Sequence, residues 1–108
     1  FPPLSLSAGV NQNLWKEWTK AKEHFEKKEY PQALQELKRH PHETSHYYYN
    51  VGTLLYHTQA YGESVAYLEK ANRILPHDRN IQFNLSLARA ALLKQLPQFS
   101  SLDPSSHW

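Results

Sequence analysis

The sequence feature that most constrains the fold is a periodic pattern of apolar and small residues between positions 48 and 76. In each half of this stretch such residues recur three and four positions apart, on one face of a helix; they are Tyr48, Val51, Gly52 and Leu55, then Tyr61, Ser64, Leu68 and Ala71. Pro76 closes the second half, and the break between the halves predicts two antiparallel helices. Glycine lowers helix propensity by about 1 kcal/mol relative to alanine, so Gly52 in mid-helix predicts close approach by another helix.

These spacings resemble the tetratricopeptide repeat (TPR), a helix–turn–helix unit of about 34 residues. The TPR pattern has a Trp, a Leu-Gly and a Tyr in the first helix, an Ala and a Phe in the second, and a final Pro. Those positions are taken here by Tyr48, Val51-Gly52, Leu55, Ser64, Leu68 and Pro76. The resemblance implies an all-α fold in which helix pairs form a right-handed stack.

An earlier helix pair repeats the same pattern at a constant offset, which we call the pair offset. It is the separation between Ala21 and Gly52, Phe25 and Tyr56, Tyr30 and Tyr61, Ala33 and Ser64, and Leu37 and Leu68. Asn13 can cap the first helix of this pair, Pro31 begins the second, and Pro41 ends it. Because the pair offset is about three residues short of the usual period, we interpret residues 12–44 as a degenerate first TPR and 45–78 as the second.

A fifth helix is expected over residues 79–96, with Asp78 as its N-cap. Asn84 follows Asn50 by the full TPR period, so this helix takes the first-helix position of a third repeat and should cap the stack. Prolines and small polar residues predict an irregular leader over 1–11 and a flexible tail over 97–108. The expected fold is therefore all-α, with two TPR-like helix pairs plus a C-terminal capping helix, five helices in total.

Composition excludes several functional classes. A net charge of +2, with acidic and basic residues alternating along the helices, argues against a nucleic-acid partner. The chain has no cysteine for disulfides or thiolate zinc sites, and no apolar run long enough to span a membrane. The histidines at 40, 42 and 46 are scattered by a proline in a turn, so we expect no metal site. Without a phosphate-binding loop or a catalytic motif, we expect neither a cofactor nor enzymatic activity.

Residues 45–92 are also similar to the last repeat and trailing helix of the Bat (aerotolerance) type of bacterial TPR proteins. In that type a repeat beginning YYNLGN is followed by a P-x-D turn and an NLALAR-like helix, where this chain has YYNVG, LPHD and NLSLAR. The resemblance implies an envelope-associated protein with periplasmic repeats, acting beside von Willebrand factor A-type and AAA-type partners. A cytoplasmic location stays open, and the absence of methionine predicts a fragment or a processed product.

In a TPR stack the first helix of each pair lines a concave groove. Applied to this chain, that geometry assigns partner binding to Trp18, Lys22, Tyr49, Asn50, Thr53, His57, Phe83 and Asn84. Aromatic rings beside amides suit a protein or peptide ligand, because rings bury apolar side chains and amides both donate and accept hydrogen bonds. We expect the Asn50 and Asn84 amides to be largely solvated, so that replacing both with alanine leaves folding nearly intact.

Two alternatives to groove binding stay open. Some rings could instead fill the core of a short stack; the candidates are Trp15, Phe25, Tyr49, Tyr56 and Phe83. Exposed aromatic residues could also pair two copies of the chain into a homodimer.

One TPR subclass clamps acidic carboxyl termini with cationic side chains, and Asn50 matches its central asparagine. Trp18, Asn80 and Asn84 stand where that clamp carries basic groups. Without these charges most charge-assisted bonds to a carboxylate are lost, which argues against that function. The favoured interpretation is a non-enzymatic scaffold that binds a protein or peptide through the concave groove.

Overall fold

The computed structural model describes residue 4 and residues 12–96, apart from the side chains of residues 12–15 and 17. This part of the chain contains no strands and consists of five helices: α1 (Gln12–Glu26), α2 (Tyr30–Lys38), α3 (Ser45–His57), α4 (Tyr61–Ile74) and α5 (Arg79–Gln95). The predicted all-α class with five helices is confirmed. The expected leader and tail lie outside the described residues, except that the side chain of Leu4 is buried.

The turn between the two helices has the same geometry in both pairs. Lys28 after α1 and Gln59 after α3 adopt the left-handed conformation, with φ of 61° and 67°. In each turn the next backbone N–H donates to a carbonyl in the last turn of the helix, Glu29 to His24 at 2.8 Å and Ala60 to Leu55 at 2.9 Å. This is the Schellman motif, which ends a helix by pairing its last free carbonyls. The two motifs are separated by the pair offset expected from the sequence.

Local residues also determine where the later helices begin. Thr44 precedes α3, and its Oγ1 accepts a hydrogen bond from the Tyr47 N–H at 3.2 Å. Asp78 precedes α5, and its Oδ1 accepts from the Ile81 N–H at 3.0 Å, so the predicted N-cap is confirmed. Each cap satisfies a backbone donor that the first turn of a helix leaves unpaired.

Small residues allow the helices of each pair to approach closely. Ala21 and Ala33 in the first pair are completely buried, as is Ser64 in the second. The Ser64 hydroxyl donates to the backbone carbonyl of Gly52 at 2.6 Å. A methyl group added at Gly52 would lie only 2.6 Å from Cγ of Leu68. The close helix approach predicted at Gly52 is therefore confirmed.

Each helix packs mainly on its neighbours in the chain: α1 on α2, α2 on α3, α3 on α4 and α4 on α5, with a smaller contact between α3 and α5. The core forms two hydrophobic clusters. One includes Ala21, Leu37 and Leu54, and the other joins α3, α4 and α5 around Leu68 and Leu85. Because α3 contributes to both clusters, it is the central element of the described structure.

Candidate functional site

Three of the predicted groove residues, Tyr49, Thr53 and Asn84, form a hydrogen-bonded polar region between α3 and α5, and Asn50 on α3 is buried as well. Asn84 is fully buried, and its Nδ2 donates to Oη of Tyr49 at 3.1 Å and to Oγ1 of Thr53 at 3.0 Å. Thr53 is also fully buried, and Tyr49 and Asn50 are each only 3% exposed. The expectation that the Asn50 and Asn84 amides are largely solvated is therefore wrong. For Asn84 the physical reason is that α5 contacts α3, where the amide bonds Tyr49 and Thr53.

The side chains of this polar region are shielded from solvent, as in a contact that holds two helices together. Burial raises the pKa of the Tyr49 phenol, although its bonds to Thr53 and Asn84 partly oppose the shift. Oδ1 of Asn84 is buried and has no hydrogen-bond partner among the described residues. The adjacent cavity measures about 30 Å³, room for about one water molecule; it is lined by Ser45, His46, Tyr49, Leu75, Asp78, Asn80 and Ile81. A cavity of this size cannot admit a peptide side chain.

The remaining predicted groove residues are more accessible. On α1 the ammonium group of Lys22 lies 5.1 Å from the centre of the Trp18 ring and 3.7 Å from the Glu26 carboxylate. The ammonium group is therefore held between an aromatic face and a carboxylate. On α5 the Phe83 side chain is 50% exposed, which is unusual for a large aromatic residue. Trp18 and Phe83 thus offer apolar area to another molecule.

His57 lies in an aromatic cluster where α1, α2 and α3 meet. Its ring stacks on Tyr30 with centroids 4.3 Å apart, and meets Phe25 and Tyr56 edge to face at 5.6 and 5.9 Å. Burial lowers the pKa of His57 below its ordinary value of 6.5. Part of the cluster recurs at the pair offset, because the Phe25–Tyr30 contact at 5.6 Å matches the Tyr56–Tyr61 contact at 5.4 Å. His57 is therefore half-buried at a helix junction.

A second surface, not predicted from the sequence, lies between α2, α3 and α4. It is a cleft of about 490 Å³ lined by Lys38, Pro41, His42, Glu43, Tyr47, Tyr48, Tyr67 and Lys70. We call it the tyrosine–lysine cleft. The sequence signal that could have revealed it is the adjacent pair Tyr47-Tyr48 in α3, together with Tyr67 and Lys70 one helical turn apart in α4.

The lysines of this cleft lie over its aromatic rings. The Lys70 ammonium is 5.4 Å from the centre of the Tyr48 ring and 5.3 Å from that of Tyr67. Lys38 approaches the Tyr67 ring to 5.8 Å, and its ammonium is 4.0 Å from the Glu63 carboxylate. Two cationic groups from different helices therefore converge on one tyrosine ring.

The described residues carry no candidate metal centre, since nowhere among them do three His, Asp or Glu side chains converge. In the same part of the chain, every helix is too short or too polar to cross a membrane. The described part of the chain offers three contact areas to another molecule: the Trp18–Lys22 pair, the exposed Phe83 ring and the tyrosine–lysine cleft.

Comparison with known proteins does not indicate what this chain does. Its function is therefore inferred from the described residues themselves. The chain matches no protein-family model, and searches of curated proteins and of solved structures also gave no match.

Proposed function

We propose that the chain is a TPR-like interaction scaffold that binds a protein or peptide and catalyses no reaction. The observation that carries the proposal is one helix-pair geometry that occurs twice, separated by the pair offset. The left-handed turn residue recurs at Lys28 and Gln59, and the aromatic contact between paired helices recurs with it. Structural repeats that contact mainly their neighbours are typical of solenoid proteins, which act through extended binding surfaces. In this proposal the two pairs form a right-handed stack.

The surface of α5 supports a capping role in that stack. Tyr48 and Gly52 lie on the face of α3 that packs on α4. One TPR period later, at the separation that relates Asn50 to Asn84, their counterparts in α5 are Gln82 and Ser86. Both counterparts are exposed, and their side chains donate to backbone carbonyls at 2.6 and 2.7 Å. The side chains at these two positions are polar and hydrogen-bonded within the chain. In a longer stack, a further helix would pack on these positions. A polar outer face is what a terminal repeat requires for solubility.

The proposed concave binding surface is smaller than the sequence suggested. Since Tyr49, Asn50, Thr53 and Asn84 are buried and His57 is half-buried, the accessible contributors are Trp18, Lys22 and Phe83. Exposed tryptophan and phenylalanine rings are enriched at interfaces because they bury a large apolar area in one contact. We propose that Trp18 and Phe83 are separate anchors, each for an apolar side chain of the partner.

The test is to select peptides from a random display library on the intact chain and measure their affinities by fluorescence anisotropy. Trp18→Ala combined with Phe83→Ala should weaken the selected peptides by about tenfold or more, as expected for aromatic anchors. Arg73→Ala, an exposed change on α4, is the matched control and should bind like the wild type. Unchanged affinity of the double variant at normal helicity would exclude this surface.

A self-assembly function is the second candidate, and the exposed apolar residues of α5 favour it. Phe83 and Leu93 in α5, and Leu96 directly after it, are 50%, 66% and 41% exposed. Large apolar side chains open to water are candidate contacts between two identical chains. Sedimentation across the micromolar range separates the candidates: a monomer supports the scaffold, whereas a concentration-dependent dimer abolished by Leu93→Glu supports self-assembly.

A further inference from the structure

We propose that the tyrosine–lysine cleft binds an acidic segment of a partner protein, in which carboxylates stand beside an aromatic or aliphatic side chain. The site is built from α2, α3, α4 and the turn before α3. It uses none of the residues of the proposed concave surface. The inference therefore stands on its own observations and does not rest on the proposed concave binding.

The first observation is the charge of the cleft lining. Among the described residues, Lys70 makes contacts to two tyrosine rings and no ion pair. Lys38 has only a 4.0 Å contact to Glu63, between two solvent-exposed side chains, and such surface pairs contribute little. Glu43 is the one carboxylate among the residues that line the cleft. Because Glu63 lies beside Lys38, the positive charge open to an acidic ligand is centred on Lys70, which makes no ion pair among the described residues.

The second observation is the fixed position of the ammonium groups. Each lies near enough to a ring centre for a cation–π contact, Lys38 at 5.8 Å and Lys70 at 5.3 Å, and both lie over Tyr67. Contacts of this kind restrict a lysine side chain that otherwise loses considerable rotamer freedom on binding. A bound carboxylate therefore meets cations that are already positioned, which lowers the entropic cost of association.

The third observation is the aromatic character of the cleft. The centre of the Tyr48 ring is 5.9 Å from that of Tyr47 and 6.2 Å from that of Tyr67. Burial raises the pKa of the Tyr47 phenol, so this hydroxyl stays neutral and adds no negative charge. Tyrosine supplies a large, rigid and amphipathic contact area, which suits a protein ligand. The volume of about 490 Å³ lies in the range of about 300–1,000 Å³ typical of ligand sites.

Charge and size together select an acidic peptide over other anions. Two ammonium groups neutralise only a few phosphates, and the whole chain carries a net charge of +2, so a nucleic-acid backbone is poorly matched. A small inorganic anion would leave the tyrosine rings unused. A peptide places its carboxylates on Lys38 and Lys70 and packs an apolar side chain against Tyr48 and Tyr67.

The experiment uses the full chain and a short fluorescein-labelled peptide in which Asp and Glu alternate with Phe and Leu. Fluorescence anisotropy at low salt measures its affinity. Lys38→Gln with Lys70→Gln should weaken binding by about tenfold or more, because two charge-assisted contacts are lost. Lys70→Arg preserves both the charge and the ring contact and should bind within about threefold of the wild type. Lys94→Gln on α5 is the matched control and should have no effect.

Glu43→Gln is the second variant, and it makes the prediction independent of any loss of folding. Glu43 is exposed, and removing its charge from the cleft should raise the affinity of the acidic peptide by about twofold to fivefold. The proposal is overturned by any of three results: no binding at millimolar peptide, equal binding by a peptide with lysine at every acidic position, or unchanged affinity in the double glutamine variant. If Trp18→Ala with Phe83→Ala removes this binding while the double glutamine variant keeps it, the acidic peptide belongs to the concave surface instead.

Discussion

At the scale of single residues, Gly52 marks a close contact between α3 and α4. A methyl group there would lie 2.6 Å from Leu68 Cγ and 3.2 Å from the Leu68 backbone nitrogen. The side chain can shift, but the backbone is held close because Ser64 bonds the Gly52 carbonyl at 2.6 Å. We therefore expect Gly52→Ala to lower the free energy of unfolding by about 1–3 kcal/mol, despite a helix-propensity gain of about 1 kcal/mol.

Gly62 in α4 provides the matched control for this prediction. An added methyl group at Gly62 meets nothing within 4 Å, and the residue is exposed. Gly62→Ala should therefore leave stability unchanged or raise it by up to about 1 kcal/mol. Urea unfolding followed by circular dichroism measures both variants. Equal shifts at the two glycines would show that helix propensity, and not packing against Leu68, determines the effect.

For Asn84 the role predicted from the sequence differs from the position that the structure shows. Asn84→Ala removes the donor that satisfies Tyr49 and Thr53 in a buried site. Two buried hydrogen bonds are lost, each worth about 0.5–1.5 kcal/mol, so we expect clear destabilisation. Asn80→Ala, at an exposed position one turn earlier, should be nearly neutral. A wild-type urea midpoint for Asn84→Ala would mean that the amide does not link α3 to α5.

His57 makes stability depend on pH. Burial holds the pKa of His57 below 6.5, so on acidification the unfolded chain takes up this proton before the folded chain does. Stability should therefore be full above the unfolded pKa and fall as the pH drops through about 6.5. His57→Phe keeps an aromatic ring against Tyr30 and should flatten this part of the profile. The measurement is the urea midpoint of both proteins from about pH 7.5 to about 5.5; identical slopes would exclude His57 as a source.

At the scale of helices and turns, the sequence predicted what depends on local residues. The fifth helix was expected over 79–96 and covers Arg79–Gln95, whereas the first begins at Gln12, so Asn13 lies inside it and the predicted Asn13 cap is wrong. Caps and prolines act within a few residues, so their effect can be read without the fold. The depth of Asn84 could not be predicted, because periodicity identifies a face but not the helix that covers it.

The tyrosine–lysine cleft was not predicted, for a related reason. Its residues come from three helices and a turn, and on each helix alone they look like a solvated face with scattered rings. Only the packing of α2 and α4 beside α3 brings Lys38, Tyr48 and Lys70 together. The repeated spacing of apolar residues in the sequence predicts the helices. The cleft depends on which side chains of neighbouring helices come close to one another.

The repeated turn gives a prediction at the same scale. Lys28 and Gln59 have positive φ, which costs a residue with a side chain about 1–2 kcal/mol relative to the right-handed conformation. Glycine adopts this conformation without that penalty, although it loses more entropy on folding. Gln59→Gly should therefore raise the free energy of unfolding by about 0.5–1 kcal/mol.

Gln35→Gly is the control for the turn, because Gln35 is exposed and lies inside α2. There glycine should lower stability by about 1 kcal/mol. Thermal unfolding of the two variants gives the comparison. A loss at Gln59→Gly as large as that at Gln35→Gly would show that the left-handed geometry contributes no strain.

At the scale of the whole molecule, stability should vary along the chain. The helices pack mainly on sequential neighbours, and α3 has nine buried residues, whereas α5 has four. In such an arrangement the terminal elements can open while the centre stays folded. Native-state hydrogen exchange should therefore show the highest protection in α3 and α4, with α1 and α5 opening at lower free energy.

The decisive variant for this prediction is Asp78→Ala, which removes the N-cap of α5. Every state in which α5 is unfolded then becomes more accessible, so the free energies of α5 opening and of global unfolding should both fall by about 0.5–2 kcal/mol. Opening of α1 leaves α5 folded, because the two helices lie at opposite ends of the series of contacts, and its free energy should not change. Urea-dependent hydrogen exchange read by NMR separates the three openings. If the α1 value falls together with the others, the molecule unfolds as a single unit and its repeats are not energetically separable.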